Sequence, residues 1–288
     1  MDLRDLTAFV EVAETGSVSA AAQHLHLSQP AVSKRLMSLE ERLGHRLFDR
    51  IARRVMLTDA GRALLPYARR ALGDIEDGRR AVASLGGTVA GRLSIGTSHH
   101  IGLHRLPPVL RAYTARHPQV DLDMHFMDSE VACEQVLAGK LELGIVTLPS
   151  QAPDSLECQV IWPDPLAVVA APEHALAGLN KPSLADLAAY PAVLPDEQTY
   201  THRIVRREFE RHGLSPHIRL ATNYLETLKM LAGIGLGWSV LPLSMLDETL
   251  RVVKISELHM HRELGVVRHR RRTLSSAALA MIDSLLSQ

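Results

Sequence analysis

The chain has 288 residues and carries 32 Lys and Arg against 32 Asp and Glu, a formal net charge of zero. With 46% hydrophobic and 22% charged residues it is globular material sufficient for two domains, which excludes disorder over most of its length; neutrality, if evenly spread, argues against a nucleic-acid partner. Two cysteines, Cys133 and Cys158, exclude a disulfide framework and suit a reducing compartment.

Leu6, Phe9, Val10 and Ala13 recur at helical spacing, so residues 3–14 predict an amphipathic helix that Gly16 stops. Ser17 or Ser19 caps a short second helix through Ala20, Ala21, Ala22 and Leu25, whose small side chains allow a close neighbour. A third helix starts with Ser28 as N-cap and Gln29 and Pro30 in the first turn, where a missing N–H costs nothing. Val32, Leu36, Leu39 and Leu43 form its buried stripe and Gly44 its left-handed cap, while Gln29, Ser33, Lys34 and Met37 line the opposite face. A short helix, a tight turn and a longer helix with polar first-turn residues predict a helix-turn-helix, whose second helix enters the major groove. Gln29 suits an adenine edge, Ser33 and Lys34 reach bases or phosphates, and the helix start at Ser28 attracts phosphate.

The run Arg50-Ile51-Ala52-Arg53-Arg54-Val55-Met56-Leu57, flanked by Leu47-Phe48, predicts a β-hairpin wing with a basic tip. Thr58 then caps a helix to about Leu85, roughly 40 Å long at 1.5 Å per residue. Leu65, Ala68, Leu72, Ile75 and Val82 fall on an a/d seam with Arg79 between them, which predicts pairing with a second copy; the alternative is a core stripe within one chain. Pro66 should kink or weaken that helix near its start. The charge proves uneven: residues 28–70 hold ten basic against four acidic side chains, or +6, whereas residues 91–288 sum to −2. A local basic patch of this kind is the footprint of a phosphate-binding surface.

Residues 1–85 resemble the winged helix-turn-helix domain of LysR-type transcriptional regulators. The likeness runs in unbroken order through Leu6-Thr7-Ala8-Phe9, Gly16-Ser17-Val18-Ser19-Ala20-Ala21-Ala22 and Leu27-Ser28-Gln29-Pro30-Ala31-Val32-Ser33. It continues through Leu39-Glu40-Glu41-Arg42-Leu43-Gly44, Leu47-Phe48-Asp49-Arg50 and Leu57-Thr58-Asp59-Ala60-Gly61. The resemblance implies that Gln29, Pro30, Ser33 and Lys34 face the major groove of double-stranded DNA, with Arg50, Arg53 and Arg54 toward phosphates or the minor groove. Lys34 stands where the family often has Arg and so offers a point charge instead of a bidentate fork. The resemblance further implies a homodimer through the linker helix, a homotetramer of two dimers on a partly palindromic operator, and RNA polymerase as a further candidate partner.

Gly86-Gly87-Thr88-Val89-Ala90-Gly91 predicts a hinge. The expected organisation is a DNA-binding domain at 1–58, a linker helix at 59–86, a hinge at 87–91 and an effector domain at 92–288. In the last, strands at Leu93–Ile95, Leu122–Phe126, Leu143–Val146, Leu166–Ala170, His217–Ala221 and Leu264–Val267 alternate with helices at Leu103–His117, up to Leu137, Arg203–Arg211, Leu225–Ile234 and Leu274–Leu286. This α/β pattern, with mostly parallel sheets, follows the α+β winged domain. It also resembles the effector domain of the same family, similar to type 2 periplasmic binding proteins, through Gly91-Arg92-Leu93-Ser94-Ile95-Gly96, Leu106-Pro107-Pro108, His117-Pro118, Leu137-Ala138-Gly139-Lys140-Leu141-Glu142-Leu143-Gly144-Ile145 and Gly233-Ile234-Gly235-Leu236-Gly237. That likeness implies two lobes, about 92–161 with 266–288 and about 162–265, joined by crossover strands near Ile161–Pro165 and His261–Gly265.

A small molecule is then expected between the lobes, beyond the carboxyl ends of the strands. The candidates are Thr97, Ser98, His99, His100, Thr147, Thr199, Tyr200, Thr222 and Asn223, hydroxyls and an amide beside helix starts that suit a carboxylate; the alternative is that many only cap helices. His100 and His104 stand at i, i+4, yet no third ligand appears at matching spacing, so no metal and no cofactor is expected. A redox switch at Cys133 and Cys158, or a metal sensor, is the alternative regulator, since peroxide sensors exist in this family. Gly233–Gly237 lacks a preceding strand and reads as a helix-to-strand turn, and no Gly-x-Ser-x-Gly, His-Glu-x-x-His or Gly-Lys-Ser/Thr motif supports an enzyme. With no apolar leader at Met1–Asp5 and no bilayer-length run, a cytoplasmic protein without membrane contact is expected.

Overall fold

In the computed structural model, which describes residues 2–51, 54–84 and 88–287, side-chain caps delimit the first three helices. Helix α1 spans Leu3–Thr15, with the Asp2 carboxylate accepting the Arg4 N–H and Gly16 closing it in the left-handed region at φ 63°. Helix α2, Val18–His24, starts where Ser17 Oγ accepts the Ala20 N–H, and α3, Gln29–Leu43, where Ser28 Oγ accepts the Ala31 N–H. Val32, Leu36 and Leu39 of α3 pack with Phe9, Val12 and Leu47 in one core. The stripe is one residue shorter than the sequence predicts. Leu43, the last helical residue, is exposed because the stripe ends where Gly44 turns the chain.

Strands β1, Phe48–Ile51, and β2, Arg54–Leu57, form the antiparallel wing. Glu40 fixes its entry, since one carboxylate oxygen accepts the Leu47 N–H at 2.7 Å and the Phe48 N–H at 3.3 Å. Thr58 accepts the Gly61 N–H at 3.1 Å and opens α4, Asp59–Ser84, which runs unbroken through Pro66. The a/d stripe of α4 divides. Ala68 is buried, and Leu65 and Leu72 pack partly against the α1–α3 core, so this half is a stripe within the chain. Ile75 and Val82 are 40% and 69% exposed.

The chain divides into two compact units, residues 1–86 with 138–140 and the remainder. The second unit opens with β3, Gly91–Thr97, followed by α5, His99–His104, and α6, Leu106–Arg116. The single helix predicted over Leu103–His117 is thus two. Pro107 and Pro108 offer no N–H to a continuing ladder and fit only the first turn of a new helix, so the break falls at Arg105. Next come β4 (Val120–Phe126), α7 (Ser129–Leu137), β5 (Leu143–Thr147) and the fifteen-residue β6, Leu156–Ala170. The chain continues through α8 (Leu184–Ala189), β7 (Pro191–Leu194), α9 (Tyr200–Glu210), β8 (His217–Ala221) and α10 (Leu225–Gly233). It ends with β9 (Ser239–Pro242), β10 (Arg251–Val252), β11 (His261–His269) and α11 (Ser276–Leu286).

Strands β4, β3 and β5 are parallel, but β11 runs antiparallel to β5 and to β6, so the sheet is mixed, not mostly parallel as expected. The reason is the path of the chain: β6 leaves the first lobe and β11 returns to it in the opposite sense. Their pairing runs from Leu156↔His269 to Pro165↔His261, after which β6 pairs with β9 and β10 in the second lobe. Each lobe keeps its own core, the first around Ile95, Tyr113, Ile145 and Met281, the second around Val205, Phe209, Trp238 and Val240. Trp238 stacks on Phe209 at 5.8 Å between ring centroids. Gly237 lies in the expected helix-to-strand turn at a point of close approach, where a Cβ would sit 2.4 Å from the Pro191 carbonyl oxygen.

Candidate functional site

On the first unit the start of α3 is open to solvent: Ser28, Gln29, Pro30 and Lys34 are exposed and Ser33 is half-buried. Gln29 is not idle there, since its Nε2 donates to Ser19 Oγ on α2 at 2.6 Å. That bond pins the side chain beside the helix start, where an amide can present one donor and one acceptor to a base edge. Arg50 and Arg54 are described by their backbone in β1 and β2 alone, and Arg53 lies outside the described residues.

On the second unit, seven of the nine cleft candidates line one small cavity of about 50 Å³ between the lobes: Ser98, His99, His100, Thr147, Thr199, Tyr200 and Asn223. Two do not. Thr97 is fully buried and donates its hydroxyl to the Ile145 carbonyl at 2.8 Å, because alternation along β3 turns it into the sheet. Thr222 is bound through its backbone N–H to the Leu194 carbonyl at 3.1 Å and stays out of the cavity lining. The capping alternative is answered residue by residue. Thr199 does cap α9, accepting the His202 N–H at 3.1 Å, whereas the Ser98 hydroxyl makes no cap bond to α5. His99 forms an aromatic ledge, 5.5 Å from the Phe126 ring and 4.9 Å from that of Tyr224 in the opposite lobe.

Charged side chains complete the cavity, and none of them was a sequence candidate. Arg262 of β11, almost wholly buried, donates from Nε to Asp164 of β6 at 2.7 Å and from Nη1 to Thr201 of α9 at 2.8 Å. Arg105 reaches the other oxygen of Asp164 at 3.4 Å. Two acidic side chains from the first lobe grip the second. Asp128 accepts the Asn223 amide at 2.7 Å, and Glu130 accepts the Tyr200 N–H at the first turn of α9. Burial raises the Glu130 carboxyl above the usual carboxylate range, although that N–H opposes the shift. A cavity of about 50 Å³ admits a water or two, so the lobes must part to take up a metabolite. A larger and more basic hollow of about 410 Å³ lies beyond Tyr200 and Arg262, which line both, and includes Arg203, Arg207, His259 and His261. We take the smaller cavity as the site because the polar groups converge there from both lobes.

The fold also supplies a third ligand-type side chain that the sequence spacing did not offer. Glu226, in the first turn of α10, faces His100 and His104 of α5. Burial, with Arg262 nearby, depresses the His100 imidazole to about 4, so the ring is neutral near pH 7.

Cys133 and Cys158 are unbonded and share one apolar cluster. Burial pushes the Cys133 thiol up to about 12 and raises Cys158 as well, the opposite of what a reactive sensor thiol requires. Thiol titration of the native protein before and after a brief peroxide exposure is expected to return the same number of free thiols. Loss of two on peroxide treatment would favour the redox reading.

Comparison with known proteins agrees with this architecture. The family model described as bacterial regulatory helix-turn-helix protein, lysR family, matches residues 3–62, and that described as LysR substrate binding domain matches residues 86–288. A relative in Shigella flexneri, the uncharacterized HTH-type transcriptional regulator YfeR, is 30% identical over 99% of this chain and 94% of its own length. A full-length OxyR variant from Pseudomonas aeruginosa superposes with a TM-score of 0.75 at 23% identity, over 99% of this chain and 94% of that one. Full-length CbnR complexed with its target DNA gives 0.65 at 25% identity over 99% of both chains. With one family match over its two-lobed α/β unit, well over half its length, and a second over the helix-turn-helix unit that precedes it, the chain belongs to the LysR family of transcriptional regulators, DNA-binding proteins and not enzymes.

Proposed function

We propose that the chain reads a partly palindromic operator through Ser28, Gln29, Pro30, Ser33 and Lys34, with Arg50, Arg53 and Arg54 on the backbone, and that a small anionic effector between the lobes sets its output. The working unit is a homodimer joined through α4, doubled to a tetramer on DNA, in which lobe closure changes dimer spacing and DNA bending. Domain limits at 1–58, 59–86, 87–91 and 92–288 belong to the same reading.

One observation carries the effector half: a carboxylate, that of Glu130, already sits on the Tyr200 N–H at the start of α9. The position therefore accepts an oxyanion, and Ser98, Thr147 and Arg262 surround it with further polar groups. A thermal-shift screen of the full chain with small carboxylic acids and their amides is the test. Several acids should raise Tm where the matching amides do not; equal shifts, or none from any acid, would count against an anionic ligand.

The DNA half has its own check. Gln29→Ala is expected to weaken operator binding by about 1–3 kcal/mol and to relax base preference at one position of each half-site. Arg53→Ala should lower affinity for all sequences alike and reduce the salt slope by about one per subunit. Wild-type binding by both variants across a salt titration would sink the docking scheme.

A further inference from the structure

We propose that His100, His104 and Glu226 form a divalent transition-metal site, of the kind zinc favours, that ties the two lobes together. His100 and His104 stand one turn apart on α5 of the first lobe, and Glu226 projects from the first turn of α10 in the second. One ligand atom from each lies within 4.8 Å of the others. Imidazole nitrogen with carboxylate oxygen is a donor set that zinc and its neighbours in the first transition row accept, and three protein ligands leave a fourth position for water.

The ordinary account of this cluster is an ion pair. His104 Nε2 and Glu226 Oε1 are 2.9 Å apart, and both side chains are partly exposed, 46% and 39%. That account leaves His100 unexplained. The residue is only 4% exposed, and neither ring nitrogen has a hydrogen-bond partner among the described residues. A buried polar group in that state is costly and rare, and it calls for a partner that the protein side chains do not provide. Its ring centroid is 4.9 Å from that of His104, so the orphan nitrogens stand next to the pair. Arg262 raises the local positive potential, but Asp164 is bound to it at 2.7 Å and offsets its charge.

Ligand atoms around a tetrahedral ion with bonds of about 2.0–2.1 Å are roughly 3.3 Å apart. The longest separation therefore needs to shrink by about 1.5 Å at most, while the His104–Glu226 pair, at 2.9 Å, opens slightly to admit the ion. The site does not depend on the carboxylate reading of the cavity, since it uses neither Tyr200 nor Glu130, and either idea can fail without the other.

The test uses the full chain stripped with a chelator, titrated with Zn²⁺ against a chromogenic chelator and with Co²⁺ by visible absorption. One equivalent per chain is expected, with the absorption of four-coordinate Co²⁺. His104→Ala and Glu226→Gln, at partly exposed positions that leave the core intact, should each weaken binding by at least about 10–100-fold, the cost of disturbing even an outer-shell partner. His125→Ala removes an exposed histidine paired with Asp123 at 2.9 Å and should change nothing. Zn²⁺ should also raise Tm of the wild type and not of the two ligand variants. Absence of a saturable single equivalent, or equal binding by His104→Ala and Glu226→Gln, would overturn the proposal.

Discussion

Replacing Asp164 by Ala is expected to destabilise the effector domain by about 3–5 kcal/mol, because it strands the charge of Arg262 in the protein interior. Asp164 is 1% exposed and is the counter-charge to both Arg262 at 2.7 Å and Arg105 at 3.4 Å. In the variant, Arg262 retains only the neutral Thr201 hydroxyl as a partner among the bonds described above. For a domain of this size the loss corresponds to a fall in Tm of about 6–20 °C, measurable by calorimetry. The double variant Asp164→Leu with Arg262→Met should recover most of the deficit, since an apolar pair of similar volume often replaces a buried ion pair without loss. A single-variant effect below about 1 kcal/mol would mean that the pair is solvated on the moving protein and does not bind the crossover strands together.

If α4 joins two copies as proposed, replacing Val82 by Glu is expected to dissociate that dimer while leaving each chain folded. Val82 is 69% exposed, on the half of the α4 stripe whose Ile75 is also exposed, and a carboxylate there would replace an apolar contact in the proposed seam. Binding to an operator with two half-sites should then fall about 10²–10⁴-fold, to that of a single reading head, with binding to an isolated half-site unchanged. Sedimentation and gel shifts on full and half operators measure both. Ala68→Glu, on the other half of the same stripe, should instead unfold the winged unit, since Ala68 is buried in its core. A Val82→Glu protein that sediments as wild type would remove α4 as the dimer seam.

How far the sequence could be read depended on the range of the signal. Caps act within four residues, so Ser17 and Ser28 mark their helices correctly, as Gly16 and Gly44 mark the ends, whereas the helix expected from Arg203 starts at Tyr200, capped by Thr199. Strand β6 was legible only in its apolar second half. Pro163 and Pro165 interrupt its first half, and proline ordinarily argues against a strand that is paired on both sides. Short β7 and β9 have Pro191 and Pro242 at their ends and carry no period to detect. The cleft was found in outline from hydroxyls that follow strands, because topology brings strand ends together. Its charged half was not. Asp164 and Arg262 are 98 residues apart, and Asp128 and Asn223 are 95 apart; each looks like a surface residue until its partner is known. Thr97 misled for a local reason, since a hydroxyl at a strand end points toward ligand or into the sheet according to a parity that composition does not reveal.

The acidic grip on α9 and Asn223 has a consequence for how much effector the regulator needs. If the effector is the carboxylate proposed above, it must displace Glu130 from the Tyr200 N–H, so Glu130 acts as a tethered competitor for it. The apparent affinity is the intrinsic one multiplied by the fraction of time that competitor is away. Sensitivity and selectivity thereby reside in different residues: the groups that touch the effector decide which molecule is recognised, and Glu130 and Asp128 decide how much of it is needed. Evolution could retune the threshold at those two carboxylates, for a scarce metabolite or an abundant one, without altering the identity of the signal.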